Sequence, residues 1–291
     1  MRKALSKEII QGGKASKVLI PQDSPLKTHR LRLSPKTHDS SLKTFPFRNI
    51  RLILEYDGAR YSGFQRQPVK PTIQSELEKA LRRLFGSRTK IASASGRTDA
   101  GVHASGQIVN FKTQSLLPLH RIWLGINFYL PKDIAVRAIE EVPAKFHARF
   151  NAKSKVYEYR IWNDPVRSPL RMSRTYQVPY KLDLRAMRDA AAFLKGRHDF
   201  SAFCSTGGAL RDPVRTILRL ELIKRGNELG IRIEADGFLY HMVRNIAGTL
   251  IEVGRGRLQS GDVRDFLLAR KRHRAIYNAP PHALTLVKVS Y

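Results

Sequence analysis

From Asn49 onward the apolar residues keep changing period, and the order of the changes excludes a parallel βαβ array. Ile50, Leu52, Leu54 and Tyr56 alternate with Arg51 and Glu55. That period of two predicts a strand, and Asp57-Gly58 ends it in a turn. The period then becomes 3.6. Thr72 is a capping residue, Ile73, Leu77, Ala80, Leu81 and Leu84 share one helical face, and Gly86 stands where a helix-ending glycine belongs. Residues 90–94 and 106–111 predict two more strands, with a glycine-bounded loop at 96–103 between them. Further strands are expected at 156–162, 217–224 and 230–235. Asp183 can cap a helix carrying Leu184, Met187, Ala191 and Leu194, closed by Gly196. A second helix is expected over 240–253, with Met242, Ile246, Leu250 and Val253 on its apolar side and Gly254 at its end. Ser260 can cap a third, with Val263, Phe266 and Leu267. Such a mixture predicts an α+β architecture with a largely antiparallel sheet.

Residues 52–58 (LILEYDG) are echoed by residues 231–237 (IRIEADG). A strand running into Asp-Gly is an ordinary hairpin signal. The alternative is a duplicated plan: two lobes, 49–150 and 151–291, with a cleft between them. Residues 1–48 stand apart. They scatter Pro, Ser, Gly and Lys without apolar periodicity and hold 11 Lys and Arg against 3 acids. This predicts a basic, disordered extension. It suits an arm on RNA and, less well with only four arginines, an organelle transit peptide.

The charge narrows the function. The chain carries 53 Lys and Arg against 24 Asp and Glu, a formal net charge of +29. Like charges repel in a compact fold, so an excess of this size implies a polyanionic partner, nucleic acid first. A membrane is the second polyanion, but no apolar run is long enough to span a bilayer and no signal-peptide core follows Met1. The single cysteine, Cys204, excludes an internal disulfide and a Cys-rich zinc site, and suits a reducing, cytoplasmic setting. No P-loop or dinucleotide fingerprint implies a nucleotide cofactor.

Within so basic a chain, residues 96–103 (GRTDAGVH) hold one carboxylate, Asp99, between Gly96 and Gly101. The glycines suit sharp turns and close approach by a ligand. Asp99 is either a reactive group or the acceptor of an Asx turn, and the loop alone favours neither. Arg97 can contact phosphate or stack on a base, and His103 can support the loop by hydrogen bonding. Asp99 and His103 are too few ligands for a metal, and no HExxH or cysteine cluster completes a site. Arg244 lies inside the apolar run 238–246, where a buried guanidinium requires an anionic partner. Tyr157 and Tyr159 share one strand face, either as core or as a ring that stacks on a base. Residues 196–200 (GRHDF) read as helix-end and turn chemistry.

Taken together these stretches resemble the TruA family of tRNA pseudouridine synthases. The resemblance rests on GRTDAGVHASGQ at 96–107 and on six other stretches in the family's order: EYDG at 55–58 with SGFQRQ at 62–67, LPKDI at 130–134, FHARF at 146–150, YEYR at 157–160, HDF at 198–200 and HMVRNI at 241–246. It runs from about Ile50 to Tyr291. Phe64 replaces a more usual Trp, Ala94 a common Gly, and Ala283 the Gly of a Gly-Leu pair; the last two bear on local turns.

The resemblance implies the pseudouridine synthase fold, with the active-site cleft between two lobes that each carry a mostly antiparallel sheet and helices. It implies Asp99 as the catalytic aspartate that attacks the target uridine, after which the N-glycosidic bond breaks and C5 is joined to the ribose. It implies Tyr157 packed on the target base and helping to remove the C5 proton, Arg244 paired with Asp99, and Arg97 extruding the target nucleotide. It implies a homodimer that needs no metal or organic cofactor and acts on the tRNA anticodon stem-loop at positions 38, 39 and 40. Two other functions share these residues: a non-catalytic tRNA-binding protein or chaperone on the same fold, and a metal-dependent nuclease using Asp99, His103 and Asp199.

Overall fold

The computed structural model describes residues 46–86, 89, 91–205 and 212–291. Most of the basic extension, and Lys90 of the strand expected at 90–94, lie outside the described residues. The first half of the chain runs β1 (Arg48–Tyr56), α1 (Ile73–Phe85), β2 (Ile91–Ala94), β3 (His103–Thr113), α2 (Leu119–Tyr129) and β4 (Ile134–Val142). The second half begins with β5 (Ser154–Trp162), β6 (Tyr176–Gln177), α3 (Leu184–Phe193) and β7 (Gly196–Asp199). It continues through β8 (Val214–Arg225), β9 (Glu228–Ala235), α4 (Met242–Gly254), α5 (Ser260–Ala269) and β10 (Leu284–Ser290).

The expected mixture of helices with a mostly antiparallel sheet is present. Thr72 caps α1 reciprocally: its Oγ1 accepts from the Ser75 N–H at 3.2 Å, and its own N–H donates to Ser75 Oγ at 3.1 Å. Ile73, Leu77, Ala80 and Leu81 of α1 are buried, and each buried leucine contributes about 2 kcal/mol. Asp183 caps α3 by accepting from the Arg185 and Ala186 N–H groups. Several boundaries differ from expectation. The helix expected from 240 begins at Met242, because His241 takes a left-handed conformation with φ of 60°. α5 starts with Ser260 as its first helical residue, and the Asp262 carboxylate accepts from the Gln259 N–H before it at 2.8 Å. Residues 196–199 form β7 rather than a turn, paired with β8. α2, β4, β6 and β10 were not among the expected elements.

The strands expected in two lobes join in one sheet of ten, ordered β4-β1-β3-β10-β5-β9-β8-β7, with β2 on β3 and β6 on β5. The last strand makes the join. β10 pairs in parallel with the first residues of β3, Thr285 with His103 and Leu286 with Ala104, and antiparallel with β5. Further along, β3 leaves β10 and pairs with β2 instead. The loop from β2 to β3, which holds Asp99, therefore lies where the two halves meet. β1 and β9, which carry the echoed sequences, each lie two strands from β10 and run in opposite directions.

α4 is buried on nearly every side, including Asn245, Gly248 and Thr249, so it is an interior helix rather than an amphipathic one. Gly248 is the contact point. A Cβ there would lie 1.9 Å from the backbone oxygen of Tyr277. Alanine in an open helix gains about 1 kcal/mol over glycine, but overpacking costs about 1–3 kcal/mol. Gly248→Ala is expected to lower the denaturant midpoint, whereas Gly261→Ala in α5, with nothing within 4 Å of the new Cβ, should not. Equal shifts in both variants would show that α4 and the 277 segment are not packed this closely.

Candidate active site

The Asp99 turn is closed by main chain. The Val102 N–H donates to the Asp99 carbonyl at 3.1 Å, and Gly101 at the third position has φ of +79°. That is the position of a type II turn that favours glycine. The segment from Tyr61 to Phe64 cradles the loop: the Phe64 N–H donates to the Thr98 carbonyl at 3.0 Å, and the Gly101 N–H to the Tyr61 carbonyl at 3.3 Å. The Tyr56 hydroxyl meets Thr98 Oγ1 at 2.8 Å, and Gln107 Nε2 donates to the Gly96 carbonyl at 2.8 Å.

The carboxylate itself is not used in that turn. Asp57, Asp164, Asp199 and Asp212 each accept from the N–H two residues on, as in an Asx turn. Asp99 instead faces α4, with Oδ2 3.6 Å from Arg244 Nη1 and 3.6 Å from His241 Nε2. These are ion-pair rather than hydrogen-bond distances. Among the described residues Oδ1 has no partner, and the side chain is 25% exposed. Arg244 is only 12% exposed, and its Nε donates to the Ala279 carbonyl at 2.7 Å, which aims the guanidinium.

His241 was named in the sequence only as part of a motif and given no role. Its left-handed backbone turns the ring toward Asp99, which no sequence pattern announces. Asn278 Nδ2 and Ser205 Oγ each lie 3.1 Å from its Nδ1, and its Nε2 faces Asp99. Burial holds this imidazole below its ordinary range, against the pull of Asp99. Tyr157 lies beside this group, with its ring edge-on to Phe238 at 5.1 Å. Burial, then Tyr56 and Asp99, push the Tyr157 phenol well above its ordinary range, so it stays an O–H group. Tyr159, its neighbour on the strand face, is core, with its hydroxyl donating to the Pro280 carbonyl.

The segment from Ala279 to His282 ties these pieces together. It accepts from Arg244 at Ala279, from Tyr159 at Pro280 and from His103 Nε2 at His282. The Gly58 N–H donates to His103 Nδ1 at 3.1 Å, so the two contacts place the ring proton on Nε2. Asp57 Oδ1, also 3.1 Å from Nδ1, pairs with the ring only when it is protonated. His103 is thus a pin between β1, β3 and β10 rather than a ligand. Arg97 is exposed at the loop, with no partner among the described residues. Asp199 is taken up by Ser201 and Arg270. Among the described residues no three His, Cys, Asp or Glu side chains converge on a metal position.

A carboxylate set against a fixed guanidinium and a neutral imidazole, beside a buried phenol, is a site for nucleophilic or acid–base chemistry on a ligand that reaches the partly exposed Asp99. The sequence model of the tRNA pseudouridine synthase family matches residues 52–151 and 190–291. The chain is 44% identical over 244 residues to tRNA pseudouridine synthase A of Acetivibrio thermocellus, covering 84% of this chain and all of that one. It is 43% identical over 244 residues to the enzyme of that name from Brevibacillus brevis, with 84% of this chain and all of the other covered. It is 46% identical over 243 residues to that of Myxococcus xanthus, with 83% and 91% covered. The chain belongs to the TruA family of tRNA pseudouridine synthases, and it is an isomerase. No helix among the described residues is long and apolar enough to cross a membrane.

The His103 pin makes stability depend on pH. Burial, the largest influence, holds its imidazole below the ordinary value despite Asp57 and the His282 carbonyl. The unfolded chain takes up this proton near pH 6.5 and the folded protein only at lower pH. Its contribution is therefore full above that value and is lost as pH falls through it. His103→Gln is expected to shrink the drop in melting temperature between about pH 7.5 and about pH 5.5. An undiminished drop would assign the pH dependence to other groups.

Proposed function

We propose that this isomerase converts uridine to pseudouridine at positions 38, 39 and 40 of the tRNA anticodon stem-loop, with Asp99 as the nucleophile. The approach of Arg244 and His241 to one oxygen of Asp99 carries this most strongly, because it holds the acid in the cleft while the other oxygen lacks a partner. Asp99 attacks the target uridine, the N1–C1′ bond breaks, the uracil turns, and the C5–C1′ bond forms as the bond to Asp99 breaks and frees the carboxylate. C5 gives up its proton and N1 gains one, so atoms balance without an outside reactant. Arg244 compensates the negative charge at Asp99 throughout.

A base inside a stem is out of reach, so the target nucleotide has to leave the stack, at a cost of about a few kcal/mol. Arg97, exposed and unpaired beside Asp99, fills the vacated position, and Tyr157 packs on the extruded uracil. Because the Tyr157 phenol keeps its proton, its ring suits holding the base better than its oxygen suits removing the C5 proton.

The N-terminal half, 49–150, supplies Asp99 and Arg97, and the C-terminal half, 151–291, supplies Tyr157, His241 and Arg244, so the cleft needs both lobes. Residues 1–48, with 11 Lys and Arg against 3 acids, carry charge that suits contact with RNA, and a cytoplasmic enzyme suits the single cysteine. The enzyme works as a homodimer, for which exposed Leu116, Leu124 and Phe128 offer an apolar contact; a solution mass of one chain would remove that part.

The test is tritium release from tRNA labelled at uridine C5. The wild type is expected to release it, and Asp99→Asn to lose about 10,000-fold or more in rate. Arg244→Met should lose rate with less effect on tRNA affinity. Wild-type protein that releases no tritium from any tRNA, or Asp99→Asn with full activity, would sink the proposal. Pseudouridine mapping in cells with and without the protein assigns the positions.

A further inference from the structure

Lys155 stands two residues before Tyr157 on the same face of β5, about 7 Å along the strand. It lies against the Asp99 loop: a Cβ on Gly96 would be 3.3 Å from Lys155 Nζ. The absence of a side chain at Gly96 gives the ammonium its room. The Gly96 carbonyl does not serve it, being taken by Gln107. Among the described residues Lys155 has neither a hydrogen bond nor an ion pair. Its close charged neighbours are Arg149 and Arg215, and burial together with these two cations depresses its ammonium below the ordinary lysine range.

Arg149 and Arg215 also have no carboxylate partner among the described residues. The Arg215 guanidinium donates to the Asp212 carbonyl at 3.0 Å, and Gly237 leaves space beside it, where a Cβ would lie 3.1 Å from its Nε. Three cations, with Lys155 and Arg215 half-buried and Arg149 exposed, thus lie together without an acid partner among the described residues. Such an arrangement opposes folding unless an anion joins it. Phe150 is 76% exposed beside this cluster and stacks on His147, with the Arg149 guanidinium over its ring. Exposed rings among cations are the composition of a single-strand RNA surface, which a free phosphate ion would not need.

We propose that Lys155, with Arg149 and Arg215, binds the RNA phosphodiester that adjoins the target nucleotide. This rests on Asp99 as the centre of the reaction. With the uracil on Tyr157 and the ribose facing Asp99, the backbone continues along β5 to Lys155. The contact is to phosphate, so it positions the strand without reading its sequence.

The variants are Lys155→Met, which keeps the apolar stem, and Lys155→Arg, which keeps the charge. For an anticodon stem-loop RNA, Lys155→Met is expected to raise Kd and KM about tenfold with little change in kcat. The slope of log affinity against log salt should shrink by about 0.7–0.9, one phosphate contact. Lys155→Arg should recover most of the affinity. The melting temperature of Lys155→Met should be no lower than that of the wild type, since an unpaired buried charge has gone. In a scan of single neutral methylphosphonate linkages, one position beside the target should weaken wild-type binding and leave Lys155→Met unaffected.

An unchanged salt slope, a loss confined to kcat, a destabilised Lys155→Met, or equal methylphosphonate penalties in both proteins would overturn the assignment. Binding slopes do not depend on turnover. A wild type that binds but releases no tritium counts against Asp99 chemistry, and the slopes still decide the phosphate site.

Discussion

The insertion of β10 between β3 and β5 is the contact on which the site depends. Only two residues of β3 pair with it, yet they set Asp99, from one half of the chain, against Arg244 and Tyr157 from the other. The segment just before β10 secures the arrangement with main-chain carbonyls, which accept from Arg244, Tyr159 and His103. Its two prolines donate no N–H and need none there. Rigid backbone acceptors suit an active site because they hold a side chain in one geometry without adding charge of their own. The Gly58–His103 bond extends the same network to the end of β1.

The cations are compensated unevenly over the protein. Many cations are paired, as Arg232 and Arg160 are with Glu158. Around the Asp99 loop, Arg97, Lys155 and Arg149 have no acid partner among the described residues, and Asp99 is faced by Arg244. A polyanion approaching this loop would meet cations without acid partners, and Asp99 lies close to the buried Tyr157 phenol.

Much of this was legible along the chain where local chemistry decides. The alternation in β1, the Thr72 cap, the Asp183 cap and the strands around the loop follow from side-chain period and backbone hydrogen bonding. α2 was missed because Pro118 precedes it without a side-chain cap. β4 was missed because its apolar alternation, Ile134 and Val136, runs into Arg137, Glu140 and Glu141. His241 was missed because a left-handed residue other than glycine or asparagine has no signature in one sequence. The motif at 62–67 was visible only as a resemblance, and its hydrogen bonds to the Asp99 loop supply the reason for it.

By itself the sequence determined most of the helices and strands, though not β10, together with the α+β class, the expectation of a polyanionic partner and, through seven ordered motifs, the family. These are set by neighbours in the chain, by net charge and by residue order. It left open whether Asp99 closes a turn or faces a ligand, because both need the same glycines. Only the tertiary structure decided that. The turn is closed by the Asp99 carbonyl and Val102 N–H, and the carboxylate meets His241, just before α4, and Arg244 within it, more than 140 residues away, which the pairing of β10 with both halves helps bring within reach.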